Sequence, residues 1–402
     1  MILKDCLINY SANPNTLKWD QMISRENTIY KREHDIRSEF ERDYTRIIHS
    51  NAYRRLKHKT QVFFSPTNDH ICTRSEHINH VDSISYTIAK YLGLNTELTK
   101  AISTAHDLGH SPFGHQGEKI LSKISERDFG STFWHEKNGL TLVDDIELLD
   151  DNHGYKQNLN LTYAVRDGII SHCGEIDENA LRPREEFISL DNYCSPNQFA
   201  PFTWEGCVVK ISDKISYIGR DIEDAISIGI MDDHLEELYD LLQYSNKSNI
   251  NNGIIINNLV YDLCQNSSYE NGLKFSDKSL YILDEIKKFN YEYIYLHPKT
   301  LAPNNYFSLV INTIYNTLKS TFNGQKTLFE LHKLAKYYPN LASNFKDWIE
   351  VYWNIRDEKH KLKNKIVFDI ENEKDYCKAI VLYISGMTDN YAIEIFNEII
   401  SF

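Results

Sequence analysis

A chain of 402 residues with 41% hydrophobic and 25% charged side chains has the make-up of an ordinary globular protein, long enough for one to three domains. Its formal net charge of −13 argues against a general nucleic-acid-binding surface and leaves room only for a local basic groove. The seven cysteines are isolated, with no C-x-x-C pair, and read as reduced core thiols of a cytoplasmic protein.

At the N-terminus, Met1 to Tyr10 carries Lys4 and Asp5 inside its apolar run and shows no cleavage pattern, so no signal peptide is expected. No apolar run approaches a membrane span. From Glu76 to Leu92 the residues Ile78, Val81, Ile84, Ile88 and Leu92 recur at helical spacing, and Gly93 stops the run. Thr96 is the expected N-cap of a second helix, which carries Leu98, Ala101, Ile102 and Ala105 and delivers His106-Asp107 at its end. Leu140 to Leu149 and Tyr163 to His172 read as shorter helices.

Val208, Ile211, Ile215, Ile218, Ile222 and Ala225 form one stripe of a long helix. Asp213, Tyr217, Asp221 and Asp224 form another, and Ser212, Ser216 and Gly219 a narrow strip that permits close packing. A helix occupied on so many sides is expected to be central. Asp191 to Pro201 reads as a turn-rich loop, and Tyr244 to Asn258 as an Asn-rich surface linker. The expectation is an all-α protein, with an N-terminal arm and oligomerisation segment over 1–60, a catalytic core over 61–235 and a helical C-terminal region over 236–402.

The chemistry concentrates between residues 106 and 118. There three histidines (His106, His110, His115) and two acids (Asp107, Glu118) share thirteen residues with three glycines and a proline. Adjacent His and Asp can bind one metal ion where a helix ends, and the Gly-rich turn brings His110 and His115 back over the same spot. Glu118, three residues after His115, is spaced to hold and charge that imidazole if a helix begins there. Seven of the sixteen histidines lie between His70 and His135, a clustering that a solvated surface does not explain. His77 sits on the preceding helix, and Asp213 is the natural fourth ligand. Taken alone, His77 would be a helix-surface histidine and Asp213 a solvated acid; beside His106-Asp107 the balance reverses. Two imidazoles and two carboxylates suit Mn, Mg, Fe, Co or Zn with positions open to water and substrate.

His77, His106-Asp107 and Asp213 resemble the H…HD…D pattern of the HD-domain metal-dependent phosphohydrolases, a superfamily that also holds nucleotidases and phosphodiesterases. Further segments narrow the resemblance. Arg42 to Ser50, Tyr53 to Phe63, Thr73-Arg74-Ser75-Glu76-His77, the His106 to Glu118 run, Ile211 to Tyr217 with Asp221, and Gly386 to Ala392 are similar, in order, to the bacterial dGTPase-like deoxynucleoside triphosphate triphosphohydrolases. Between Asp232 and Lys374 no motif contributes.

That resemblance implies a helical HD core and hydrolysis of a dNTP at the α-phosphorus to deoxynucleoside and inorganic triphosphate. It implies that His115 with Glu118 protonates the departing 5′-oxygen, and that Arg74, Lys214, His110 and His135 contact phosphates. It implies that Tyr217 packs on the sugar at C2′, while Asp221 and Gln61 hydrogen-bond the 3′-hydroxyl. Each has a duller explanation: Arg74 and Lys214 as surface cations, Tyr217 as a core aromatic, Gln61 as a loop residue. The run Arg54 to Lys59 is a basic helix face or the lining of a dNTP or single-stranded DNA effector site, and relatives of this kind are homo-oligomers, often tetramers or hexamers. The competing functions are another HD-domain nucleotide phosphohydrolase and a non-catalytic nucleotide or single-stranded DNA sensor. Absence of G-x-x-x-x-G-K-[ST] and H-E-x-x-H excludes P-loop phosphate binding and zincin chemistry.

Overall fold

The computed structural model describes residues 6–29, 34–64, 70–173, 179–242, 252–354 and 361–401. Helices dominate; the elements that matter below are, in chain order, α1 (Arg74–Leu92), α2 (Thr96–Ala105), α3 (Gly114–Phe129), α4 (His135–Thr141), the strands β1 (Leu148–Asp150) and β2 (Lys156–Asn158), α5 (Tyr163–Ser171), α6 (Trp204–Ser227), α7 (Asn252–Asn266), α8 (Asp277–Asn290), α9 (Asn304–Lys319), α10 (Glu373–Ser385) and α11 (Asp389–Ile400). Two compact units are each assembled from separate stretches of chain: Met1–Thr45, Gln61–His106 and Thr162–Pro303 form the first, and Arg46–Thr60, Asp107–Leu161 and Asn304–Phe402 the second. No helix among the described residues is long and apolar enough to cross a membrane.

In the first unit α6 is the hub, packed by α1, α2, α5, α7 and α8. Its stripe Val208, Ile211, Ile215, Ile218, Ile222 and Ala225 is fully buried, and Ser212, Ser216 and Gly219 are buried as well. Burying each branched side chain contributes about 1.5–3 kcal/mol, so this one stripe rivals the net stability of a whole domain. Helix α1 starts on a reciprocal cap. The Thr73 hydroxyl accepts from the Glu76 amide, and the Glu76 carboxylate accepts from the Thr73 amide at 2.8 Å. Gly93, at φ 80°, ends it. The cap fixes Arg74 as the first helical residue and His77 in the first turn.

Three local expectations are corrected. The N-cap of α2 is Asn95, not Thr96: the Asn95 carboxamide oxygen accepts from the amides of both Glu97 and Leu98 at 3.0 Å. The segment Leu140 to Leu149 is not one helix. After a π-helical turn, Leu142–Ile146, the chain extends at Glu147, whose carboxylate takes the Asn51 amide at 2.7 Å and the Arg55 guanidinium at 2.8 Å, and it enters the antiparallel pair β1–β2. The linker read over Tyr244 to Asn258 gives way at Asn252 to α7, which buries Ile255, Leu259 and Leu263 in the core shared with α6; residues 244–251 lie outside the described residues.

Within the second unit α3 packs against α9 and α10, and α9 also packs against α11. The loop between His106 and α3 is pressed onto α4. A Cβ built on Gly109 would stand 1.9 Å from the His135 carbonyl oxygen and 2.2 Å from the Gly139 nitrogen, while the Asn138 amide donates to the Gly109 carbonyl at 2.7 Å. These neighbours are backbone and cannot rotate away. Gly109→Ala is therefore expected to cost about 3 kcal/mol or more, read as a lowered urea midpoint; an unchanged midpoint would show that this loop is not packed as described.

Candidate active site

In the first unit three side chains from three helices converge. His77 comes from the first turn of α1, His106 caps the C-terminus of α2, and Asp213 lies midway along α6. His77 Nε2 is 2.8 Å from Asp213 Oδ1, and His106 Nε2 is 3.8 Å from the same oxygen. Both rings are buried. His106 Nδ1 donates to the Ser103 carbonyl at 2.6 Å, since a carbonyl only accepts, and Nε2 is the nitrogen on the Asp213 side. A backbone carbonyl holding one ring nitrogen is the kind of outer support that orients a metal-binding imidazole.

The donor atoms of the trio all lie within 4.8 Å of one another. Bonds of about 2.0–2.2 Å to a single cation put neighbouring donors about 3 Å apart and opposite ones about 4 Å apart. The set fits a divalent ion in both size and chemistry. Asp107, the next residue after His106, belongs to the second unit, where its Oδ1 is 3.0 Å from His110 Nε2.

The same α6 carries Lys214, Tyr217 and Asp221 beside Asp213 at spacings of one, four and eight residues, so Tyr217 and Asp221 follow it along one face. Lys214 is buried and Tyr217 partly so. Arg74 is buried, and its guanidinium donates to the backbone carbonyl of Gln61 at 3.3 Å; the Gln61 side-chain oxygen is also buried. Asp221 accepts from the Tyr295 hydroxyl at 2.5 Å. Burial pushes its carboxyl up to about 7 despite that hydrogen bond. Neighbouring Asp224, also pushed up by burial, to about 6, accepts from the Cys72 amide at 3.0 Å and lies 3.3 Å from Arg220 Nε.

In the second unit His110, His115, Glu118 and His135 form another cluster with ring nitrogens and carboxylate within 4.8 Å of each other. His110 and His135 stack at 3.8 Å. Glu118 holds His135 more closely than the residue its spacing suggests: Oε2 is 3.0 Å from His135 Nδ1 and 3.6 Å from His115 Nδ1. Burial opposes the Glu118 charge, but the imidazoles of His135, His115 and His110 outweigh it and hold the carboxyl well below its usual range. The His115 ring is 67% exposed, whereas those of His110 and His135 are buried. Helix α3 opens at Phe113 in the left-handed region, φ 64°, with the Phe113 amide donated to Asp389 at 2.9 Å. Asp389 also takes the Thr60 amide at 3.0 Å. The late motif Gly386 to Ala392 thus braces the histidine loop.

Two residues escaped the sequence reading. Tyr295 lies in a stretch without motifs, and only its contact with Asp221 marks it. His172 was read simply as the end of a helix. It is buried, its Nδ1 bonds the Ile169 carbonyl at 2.7 Å, and its ring meets that of His106 at 5.0 Å. Its place just past a helix end, matching that of His106, was the available signal.

The HD-domain family matches residues 74–218, a span that contains His77, His106-Asp107 and Asp213. The fold and the donor set therefore define an HD-type phosphohydrolase with residues suited to a metal. A deoxyguanosinetriphosphate triphosphohydrolase-like protein of Rickettsia bellii is 31% identical over 376 residues, covering 91% of this chain and 92% of its own length. One from Caldanaerobacter subterraneus is 32% identical over 367 residues, 91% of this chain and 86% of that protein. A third, from Rickettsia prowazekii, is 30% identical over 408 residues and spans 98% of both. The chain belongs to the deoxyguanosinetriphosphate triphosphohydrolase-like family.

Asp221 gives a signed pH dependence. A carboxyl raised by folding from 3.8 to about 7 adds stability below its ordinary value and loses it as pH rises through about 7. Without added metal, the urea midpoint of the wild type should fall more between pH 5.5 and 8.5 than that of Asp221→Asn. Parallel pH profiles would contradict the assignment.

Proposed function

We propose that this protein is a divalent-metal-dependent dNTP triphosphohydrolase that converts a dNTP, dGTP among them, to the deoxynucleoside and inorganic triphosphate. The observation that carries the reading is the convergence of His77, His106 and Asp213 on one point, with Asp107 assigned as the fourth ligand. The names of the relatives support the substrate class. Mn, Mg, Fe, Co and Zn all suit two imidazoles and two carboxylates. When bound, such an ion supplies Lewis-acid neutralisation of charge at the α-phosphate.

The chain's own groups supply the rest. Water adds to the α-phosphorus, the bond from phosphorus to O5′ breaks, and O5′ takes a proton. His115 is assigned as the donor: Glu118 faces its Nδ1, which leaves Nε2 for the departing oxygen. Arg74, Lys214, His110 and His135 are assigned to the triphosphate, whose roughly four negative charges need local cations against an acidic chain. On α6, Tyr217 is assigned to the face of the sugar and Asp221, with Gln61, to the 3′-hydroxyl. A ribose 2′-hydroxyl buried against Tyr217 without a partner costs about 1–3 kcal/mol, enough to disfavour rNTPs. Self-association and response to a second dNTP or to single-stranded DNA belong to the same proposal.

Ion-exchange separation of products from each dNTP with Mn²⁺ tests the reading. Inorganic triphosphate and deoxynucleoside are expected from at least one dNTP; release of diphosphate or pyrophosphate, or no turnover of any of the four, overturns it. His115→Ala should lower kcat by about 10²–10⁴ and leave Mn²⁺ affinity nearly unchanged in a calorimetric titration. His77→Ala and Asp213→Asn should lose both.

A further inference from the structure

A closed ring of hydrogen bonds lies behind the stacked imidazoles of His110 and His135. Asn138, one turn after His135 on α4, is buried, and its amide donates to the Gly109 carbonyl at 2.7 Å and to the Ser385 hydroxyl at 3.2 Å. That hydroxyl donates in turn to the Leu382 carbonyl at 2.8 Å. Lys59, also buried, donates to the next carbonyl along the loop, that of His110, at 2.5 Å, and to the Ser385 carbonyl at 2.9 Å. Two consecutive carbonyls are thus each gripped by one side chain, and both side chains close on Ser385 at the end of α10. All of these residues belong to the second unit.

Burying an amide and an ammonium is costly unless their donors are met. Here the groups that meet them fix a relation between two rings. His110 and His135 stand 3.8 Å apart at 19°, and each ring also faces a carboxylate, Asp107 at 3.0 Å from His110 Nε2 and Glu118 at 3.0 Å from His135 Nδ1. Each ring hangs on its backbone through rotatable bonds, so the stack keeps its form only while the two backbones keep one spacing. Asn138 sets that spacing directly, because it shares a helix with His135 and bonds the residue beside His110. Lys59 holds the far side of the same loop residue.

The geometry points to Asn138, with Lys59 and Ser385 behind it, as a positioning residue for the imidazole pair: it sets His110 on His135 and so aligns both rings for the triphosphate. This rests on the assignment of the two rings to the triphosphate above. A misplacement of about 1 Å in such a group can cost about 100-fold in rate.

Modification of the purified protein by diethyl pyrocarbonate, followed histidine by histidine by peptide mass spectrometry, tests it in wild type, Asn138→Leu and Ser385→Ala. Leu fills the space without a donor, and Ala removes only the hydroxyl that orients the Asn138 amide. In wild type the exposed His115 should react first, with His110 and His135 protected. In the Leu variant His110 and His135 should react about threefold faster or more, as expected for a lost buried hydrogen bond. His77 and His106, buried in the first unit, should keep their wild-type rates. Turnover of the best dNTP should show kcat lowered about tenfold or more, with calorimetric Mn²⁺ affinity unchanged. A merely structural role would lower the urea midpoint but leave kcat of the folded variant at the wild-type value, and that result overturns the inference. Wild-type reaction rates at His110 and His135 overturn it too, as does equal acceleration at His77 and His106. If the Leu variant does not fold, Ser385→Ala decides: His110 and His135 faster by about twofold or more support the role, and wild-type rates overturn it. A wild type that turns over no dNTP removes the functional reading itself, an outcome distinct from the failure of Asn138, which the modification rates then decide alone.

Discussion

Asp213 sits on a helix whose apolar stripe and small-residue strip are both consumed by packing, so its carboxylate is presented along the one remaining face, toward His77. That 2.8 Å approach between α1 and α6 is the constraint on which the first unit depends. The cap at Thr73 sets the height of His77, and the buried isoleucines of α6 set the height of Asp213. Neither alignment can slip by one residue without turning a ligand about 100° away. Stability and site geometry are thus determined by the same contacts. Replacing a core isoleucine would disturb the convergence of His77, His106 and Asp213 as well as the fold.

The second unit solves a different problem, which is to keep several imidazoles and acids together without a hydrophobic shell around all of them. Stacking of His110 on His135 and the grip of Glu118 on His135 leave His115 exposed at the margin. The exposed imidazole stands open to solvent beside a carboxylate held ionised, whereas the buried pair is fixed by packing. The division follows from exposure, not from residue type, since all three are histidines.

Much of this was legible from residue order, and the failures share a cause. The periodicity of α1 and of α6 identified both helices because their apolar stripes are long and regular. Local chemistry misled at Thr96, a good cap overruled by Asn95 one residue earlier. It also misled at Ile254 to Ile256, where three isoleucines in an Asn-rich stretch gave no period, yet Ile255 is buried with α6. Glu118 was read against His115 because only chain-local spacing was available, whereas its closer partner His135 is seventeen residues away. His172 and Tyr295 were missed for the same reason: their significance lies entirely in a contact with another helix.

Lys59 gives a further consequence. Its buried ammonium donates to the carbonyls of His110 and Ser385, so three stretches of the second unit that are remote in sequence meet on one nitrogen. The HD-domain match, residues 74–218, contains the four proposed ligands but neither Lys59 nor Ser385, and its boundary at Ile218 cuts through α6. Excised at those limits, the polypeptide would keep its ligand residues and lose the scaffold of the histidine loop. The HD-domain match is thus shorter than the set of contacts that holds its own histidine loop.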